Sequence, residues 1–491
     1  MNESVVQPDY PEQLLNKLSL PCNESAQRYP EKSIEHKKLQ EAIHAVMEQC
    51  DKDIPIMIGC KEHRTEAIQT QQIPFNHERS ITKYYHADEH LIQKAIDEAI
   101  KAQIEWDRIP FIDRCRIWET AAKLMGDKYR YLLNAATILG QAKTSYESEI
   151  DAAYSNKYQP TSEVPILNTW KNRGFNGFWA AITPFNFTSI AGNVAYAPTL
   201  AGNAVVWKPS DNAILSNWYV YNICREAGVP PGVVNFVPAD PETFANVVTR
   251  SPELVGINFV GSSEAFKSLW KKVGANTDCY KNFPRMVGET GGKNYHFVCE
   301  DADADQVAHD TIAAAFSYSG QKCSACSRLY VPSSFWCVLK EKLCEIQKRL
   351  VVGAADCHHT SLSAVINGSA FDRIESYIKY AHEQPHLKIV CGGKCDKSHG
   401  YYITPTIIET TDPNDRLMVD EIFGPVLTVY QYEEKDFQTI IENIKWAVVG
   451  HQPFGGSKMS GTNDKAGGPY YPLRFVNPLV IKENLAPPKK V

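Results

Sequence analysis

The sequence predicts an α/β fold built on a parallel sheet, and three observations carry that reading. From Gly177 onward, short apolar runs alternate with stretches of helical periodicity. The runs are continuously apolar, as strands covered on both faces require. The chain has 491 residues, more than a single core usually supports, so more than one structural unit is expected.

After a polar N-terminal arm, residues 90–153 read as helices. Leu91, Ile92, Ala95, Ile96, Ala99 and Ile100 recur there at three- and four-residue steps on one face. Strands are predicted at 178–182, 205–207, 233–237 and 255–260, with helices at 189–200, 212–227 and 241–250 between them. Repeated strand, helix, strand units build a parallel sheet with helices on its faces, and such sheets bind ligands beyond the carboxyl ends of their strands. A second alternating run extends from Thr311 to Tyr432, with strands at 328–331 and 426–430. The tail from Gly467, rich in Pro and Lys, reads as loop with one edge strand near 475–481, a form suited to contact with a neighbouring subunit.

Composition narrows the function. Hydrophobic residues make up 43% and charged residues 22%, as in ordinary globular enzymes. A net charge of −6 offers no basic surface for nucleic acid or an anionic membrane, and no apolar run reaches the 18 or so residues that span a bilayer. The 14 cysteines are scattered along the chain, which suits buried thiols in a reducing compartment. The first 30 residues mix Glu3, Asp9, Glu12 and Glu24 with only Lys17 and Arg28, unlike an Arg-rich transit peptide.

The chemistry centres on Cys323, in Gly320-Gln321-Lys322-Cys323-Ser324-Ala325, and on Glu289, in Gly288-Glu289-Thr290-Gly291-Gly292-Lys293. A thiolate is a strong nucleophile and a nearby carboxylate can take a proton from water. The two together suit covalent capture of a carbonyl followed by hydrolysis. An isolated Cys is more often a small buried hydrophobe, so the neighbouring motifs decide the matter. Neither Gly-x-Gly-x-x-Gly nor a Gly-x-x-x-x-Gly-Lys-Ser/Thr phosphate loop is present. After the 255–260 strand comes instead Gly261-Ser262-Ser263-Glu264, a small-residue turn into a helix. It can face a phosphate or act as an ordinary helix cap.

Five motifs stand in order: Pro184-Phe185-Asn186-Phe187, Lys208-Pro209-Ser210, the Glu289 run, the Cys323 run and Glu421-Ile422-Phe423-Gly424-Pro425. In that order the chain resembles an aldehyde dehydrogenase. Pro453-Phe454-Gly455-Gly456 and Ser460-Gly461-Thr462-Asn463-Asp464 make the pyrroline-5-carboxylate dehydrogenase branch the nearer likeness, which extends from about Ile73 to Lys482. The resemblance implies a Rossmann-like NAD-binding domain (1–157 and 177–287), a catalytic domain (288–468) and an oligomerisation segment (158–176 and 469–491). It also implies oxidation of glutamate γ-semialdehyde to glutamate with NAD as hydride acceptor and no metal. Cys323 is then the nucleophile, Glu289 the base that activates water, and Asn186 with the Cys323 N–H the holder of the oxyanion. Lys208, Ser210, Gly261, Ser262, Glu421 and Phe423 fall on the cofactor side, and Phe187, Ser324 and Phe454 around the substrate. A homodimer or higher homo-oligomer is expected from the C-terminal tail alone. The resemblance also implies a mitochondrial matrix location, with the cytoplasm as the alternative because the N-terminus carries no clear address.

Two departures stand out. After Ala153 the resemblance calls for a longer helix with an active-site acid, yet the chain moves directly to Tyr154-Ser155-Asn156-Lys157. After Ile444 it calls for a strand, a helix and a Gly-Ser loop holding the substrate carboxylate, where this chain has Lys445-Trp446-Ala447. The expectation is a shortened form with nucleophile and cofactor residues retained, the alternative being an isoform that binds NAD without efficient turnover. A zinc site on Cys323, Cys326, Cys391 and Cys395 is the competing class, disfavoured by the wide separation of the two pairs.

Overall fold

A computed structural model describes residues 27, 29–49, 52–145, 147–148, 166–442, 458–464 and 471–484. Its centre is a seven-stranded sheet in the order Arg285–Glu289, Leu254–Val260, Phe178–Ile182, Ala204–Lys208, Val234–Phe236, Ile56–Ile58, Lys61–His63. The first five strands are parallel and the last two are added antiparallel. Both faces are buried. Trp179, Ala181, Val205 and Trp207 point into one core, and Phe178, Ala180, Ala204 and Val206 into the other. Continuous apolar strands are what such a double-sided sheet demands.

From Phe178–Ile182 the chain steps sideways to Ala204–Lys208 and Val234–Phe236, then returns to the opposite side as Leu254–Val260. Strand order therefore reverses beside Phe178–Ile182, which opens a crevice at the carboxyl ends of these strands. The helix Glu89–Arg108 packs on one face through Ile92, Ala95, Ile96 and Ala99, its start capped by the Asp88 carboxylate on the Leu91 N–H at 2.8 Å.

A second sheet has the order Asn294–Phe297, Cys326–Pro332, Val426–Tyr432, Thr406–Thr410, Leu387–Cys391, parallel except for its last strand. Helices Ala304–Phe316 and Ser333–Arg349 cover one face through Ile312, Leu339 and Leu343. Only Gly291-Gly292-Lys293 and their neighbours separate the end of the first sheet at Glu289 from the start of the second at Asn294. A two-stranded antiparallel ribbon pairs Ile166–Arg173 with Asn477–Asn484.

The polar arm predicted at the N-terminus is corrected by the structure. Ile34–Glu48 is a helix that buries Leu39, Ile43 and Val46. Asp53–Ile54, Ile68–Ile73 and Asn76–Tyr85 form a three-stranded sheet. Ile54, Ile56 and Ile58 are all buried at alternate positions, the two-residue period of strands. Among the described residues, the helices of this region end at Gln141. Three helices run to Gln141, and Ala142 then turns left-handed (φ 57°) with its N–H on the Ile138 carbonyl, a helix stop. The two departures near 154–160 and 445–450 lie outside the described residues.

Candidate active site

The sequence-predicted residues converge at the carboxyl ends of the parallel strands. Asn186 follows Phe178–Ile182, Lys208 ends Ala204–Lys208, Gly261 and Ser262 follow Leu254–Val260, and Glu289 closes Arg285–Glu289. Cys323 arrives from the second sheet, on the turn that leads into Cys326–Pro332. Its thiol lies 3.3 Å from Glu289 Oε1 and donates to it.

Glu289 is buried, 4% exposed. Its backbone is fixed on both sides: the Gly261 N–H donates to its carbonyl at 3.1 Å, and Gly461 bridges it from the C-terminal segment. The flanking Thr290 N–H donates to the Ser460 carbonyl, and its hydroxyl donates to the Met459 carbonyl. Gly292 permits the close approach of the two sheets, since a Cβ there would run into the Cys323 carbonyl oxygen. That same carbonyl accepts from Asn294 Nδ2 at 2.6 Å.

Asn186 is also buried and donates Nδ2 to the Gln321 carbonyl at 3.2 Å, two residues before Cys323. An amide has two N–H groups, so a second donor remains for a ligand oxygen. Cys323 is half-buried, whereas the neighbouring Cys326 is fully buried and its thiol is pushed up to about 12 by desolvation. Reactivity therefore belongs to Cys323. Cys326 points to the Arg328 carbonyl, and among the described residues no group of three or more metal-ligating side chains gathers.

Among the residues expected on the cofactor side, Lys208 is only 6% exposed, unlike a solvated surface lysine. Burial drives its ammonium toward the neutral form, with Asp211 and Asp240 opposing, and it donates to the Pro209 carbonyl at 3.3 Å. Ser210 caps a short 3-10 turn through Asn212 N–H. Ser262 caps the helix Ser263–Ala275, its hydroxyl accepting from Ala265 N–H at 3.2 Å. The cap reading thus holds, and it leaves this helix start, with its positive dipole end, beside the crevice. Glu421 accepts from Gly292 N–H at 2.8 Å. Phe423 adopts φ 51° and meets the Phe185 ring edge-on at 6.0 Å between centroids.

Around the substrate position, Phe187 lies edge-on to Tyr318 at 6.5 Å and Ser324 is exposed. Phe454 lies outside the described residues. Sequence reasoning missed Lys143, whose buried ammonium sits 3.9 Å from the Phe187 ring centroid. It also missed Lys293, whose ammonium is buried without a hydrogen-bond partner and pushed down to about 7, first by desolvation and then by Arg328, against Glu421. Lys293 was visible in the Glu289 motif, but its burial was not.

A buried carboxylate against a half-exposed thiol, with a side-chain amide next to the nucleophile turn, defines a thiol-dependent carbonyl enzyme. The aldehyde dehydrogenase family profile matches residues 62–447, and the chain belongs to the aldehyde dehydrogenase family. Similar members of that family include delta-1-pyrroline-5-carboxylate dehydrogenases. The mitochondrial protein of Danio rerio is 42% identical over 521 residues, covering 95% of this chain and 94% of that protein. The human mitochondrial protein is 42% identical over 522 residues, covering 95% and 92%. These alignments are longer than the 491-residue chain, so the relatives carry residues for which this chain has none. Among solved structures, the Mycobacterium tuberculosis Delta-pyrroline-5-carboxylate dehydrogenase bound with NAD and cobalamin is 31% identical. Its TM-score is 0.90, over 97% of this chain and 98% of that one. The Thermus 1-pyrroline-5-carboxylate dehydrogenase with bound NAD is 26% identical with a TM-score of 0.85, over 95% and 100%.

Proposed function

We propose that this chain catalyses the NAD-dependent oxidation of L-glutamate γ-semialdehyde, the open form of pyrroline-5-carboxylate, to L-glutamate, a step of proline catabolism. The observation that carries the reading is the 3.3 Å contact between the Cys323 thiol and the Glu289 carboxylate. Cys323 adds to the aldehyde carbon, forming a C–S bond and placing charge on the oxygen. The Asn186 amide and the Cys323 N–H hold that oxyanion. Bound NAD would supply the acceptor for the hydride that this carbon gives up with its electron pair, and a thioester on Cys323 would remain. Glu289 then removes a proton from water, hydroxide adds to the thioester, and the thiolate departs as glutamate forms.

The residues present suit NAD. A desolvated lysine beside the crevice, a capped helix start after Leu254–Val260 and a carboxylate at Glu421 match ribose hydroxyls and a pyrophosphate. Lys208, Ser210, Gly261 and Ser262 are assigned to the adenosine and pyrophosphate, and Glu421 with Phe423 to the nicotinamide ribose. Phe187, Ser324 and Phe454 are assigned to the substrate. Residues 1–157 and 177–287 form the NAD-binding domain and 288–468 the catalytic domain.

The ribbon of Ile166–Arg173 and Asn477–Asn484 carries oligomerisation, within segments 158–176 and 469–491. A two-stranded ribbon is marginal alone and gains stability by adding to a second copy. We place the enzyme in the mitochondrial matrix; several relatives carry "mitochondrial" in their names. The alternative of a cofactor-binding chain without turnover is not favoured, because nucleophile, base and oxyanion donor meet in one place.

The test is NADH formation by purified protein with pyrroline-5-carboxylate beside a Cys323→Ala variant. Activity is expected in the parent and lost in the variant. A folded parent that binds NAD yet makes no NADH would overturn the reading.

A further inference from the structure

The nucleophile turn is strained. Tyr318, Ser319 and Gly320 are three successive left-handed residues (φ 53°, 52° and 69°) just before Gln321-Lys322-Cys323. Non-glycine residues are disfavoured in that region, so such a turn persists only where its surroundings dictate it. Part of the hold is ordinary: Ser319 Oγ donates to the Ser363 carbonyl at 2.6 Å, and Gln321 Oε1 accepts from Ile366 N–H at 2.9 Å. Gly320 is required by packing as well, since a Cβ there would collide with the Gly424 carbonyl.

The remaining hold comes from a residue belonging to neither sheet. Glu147 lies in the turn after the Arg130–Gln141 helix, where its Oε2 accepts from Thr144 N–H at 3.0 Å. Its Oε1 accepts from the Tyr318 N–H and from Ser317 Oγ at 3.1 Å. Ser317 Oγ in turn accepts from Lys322 Nζ at 2.6 Å. A hydrogen-bond chain therefore runs from Glu147 through Ser317 to Lys322, the residue preceding the nucleophile. The Lys322 ammonium is partly desolvated, which favours its neutral form, while Glu147 and Cys323 both favour its charged form.

This arrangement answers a difficulty in the site. Glu289 faces the thiol at 3.3 Å, and a carboxylate there opposes thiolate formation. Among the described residues, further charged groups near the turn include Lys143, 5.0 Å from the Tyr318 ring centroid, and Glu421, on the Gly292 N–H. Lys322 is the cation whose charge the thiol itself favours.

We propose that Glu147 is a positioning residue that, through Ser317 and the Tyr318 N–H, fixes the strained turn and holds the Lys322 ammonium where it favours the Cys323 thiolate. The proposal rests on Cys323 being the nucleophile, so its test reads the thiol directly and needs no aldehyde.

The rate of Cys323 alkylation by iodoacetamide, followed by mass spectrometry of its peptide, is measured from pH 5 to 10 in the full-length parent, Glu147→Gln, Ser317→Ala, Lys322→Met and Lys322→Arg. The expected result is an upward move of the profile by about one unit in Glu147→Gln and Lys322→Met, which is about tenfold slower alkylation near pH 7 with an unchanged plateau at high pH. Ser317→Ala, the mildest change, moves part of the way, and Lys322→Arg restores the parent profile. Parent-like profiles in both Glu147→Gln and Lys322→Met would overturn the proposal, even if turnover fell. A shifted profile in a protein that makes no NADH from pyrroline-5-carboxylate would leave this inference standing and refute the assigned reaction.

Discussion

Replacing Asn186 by Ala separates two contributions of one side chain. In the folded protein its amide donates to the Gln321 carbonyl at 3.2 Å, which helps place the nucleophile turn. Losing that partner leaves a buried carbonyl unsatisfied, at about 1–3 kcal/mol of folding stability. The second N–H is the proposed oxyanion donor. Removing one such donor raises the barrier by about 3 kcal/mol, and at 1.36 kcal/mol per decade that is roughly 150-fold in kcat. Urea unfolding followed by tryptophan fluorescence reads the first quantity, and initial NADH rates at saturating substrate read the second. Asn186→Ala is therefore expected to stay folded at 25 °C, with KM changed little and kcat lowered about two decades. A kcat within threefold of the parent would remove Asn186 from the oxyanion site. A loss matched by failure of iodoacetamide to reach Cys323 would show that the amide acts only through the turn.

Three further outcomes are expected. Glu289→Gln keeps the volume but cannot take a proton from water, so the first NADH per active site still appears rapidly while steady turnover falls roughly 10²–10⁴-fold, as stopped-flow absorbance would record. Gly292→Ala drives a Cβ into the Cys323 carbonyl, and a displacement of about 1 Å at the nucleophile lowers kcat/KM on the order of 100-fold without loss of NAD binding, measured by fluorescence titration. Lys293 titrates near 7 when folded against 10.5 in the unfolded chain. Between those values the unfolded chain holds more protons, so this group makes stability rise with pH: its penalty is fully present below 7 and gone above 10.5. Lys293→Met is expected to be more stable than the parent at pH 6, by up to about 4 kcal/mol, with the gap closing toward pH 10 in urea titrations.

The parallel sheet was legible because its strands are buried on both faces and so carry unbroken apolar runs, as at Phe178–Ile182 and Leu254–Val260. The N-terminal strands were not, since Ile68–Ile73 and Asn76–Tyr85 expose polar side chains and carry too few apolar residues for a pattern. Ile54, Ile56 and Ile58 did alternate, but over too short a span to outweigh their charged neighbours. At the site, Cys323, Glu289 and Asn186 were readable because their chemistry fixes residue type. Glu147 was not, because its partners Ser317 and Tyr318 are 170 and 171 residues away and an acid in a polar turn has no signature. Likewise nothing in the text tells that the Lys208 and Lys293 ammonium groups are buried.

The geometry also says where catalysis is most easily switched off. Glu289 is the last residue of one sheet and Cys323 precedes a strand of the other, so their contact spans two separate hydrophobic cores. The Gly291-Gly292 link sets the spacing from within, through Glu421 on Gly292 N–H and Asn294 on the Cys323 carbonyl. From outside, the segment around Ser460 to Thr462 stitches Gly288 and Thr290, with Thr462 N–H on the Gly288 carbonyl at 2.8 Å and the Gly288 N–H on the Thr462 hydroxyl at 3.1 Å. A contact of 3.3 Å held by so few groups tolerates little relative motion, because a shift of about 1 Å is enough to lose proton transfer between thiol, water and carboxylate. Substitutions that loosen the C-terminal stitch, such as Thr462→Val, should therefore lower kcat while leaving the unfolding transition and NAD affinity close to the parent. Equal losses in all three would place the segment in global stability instead.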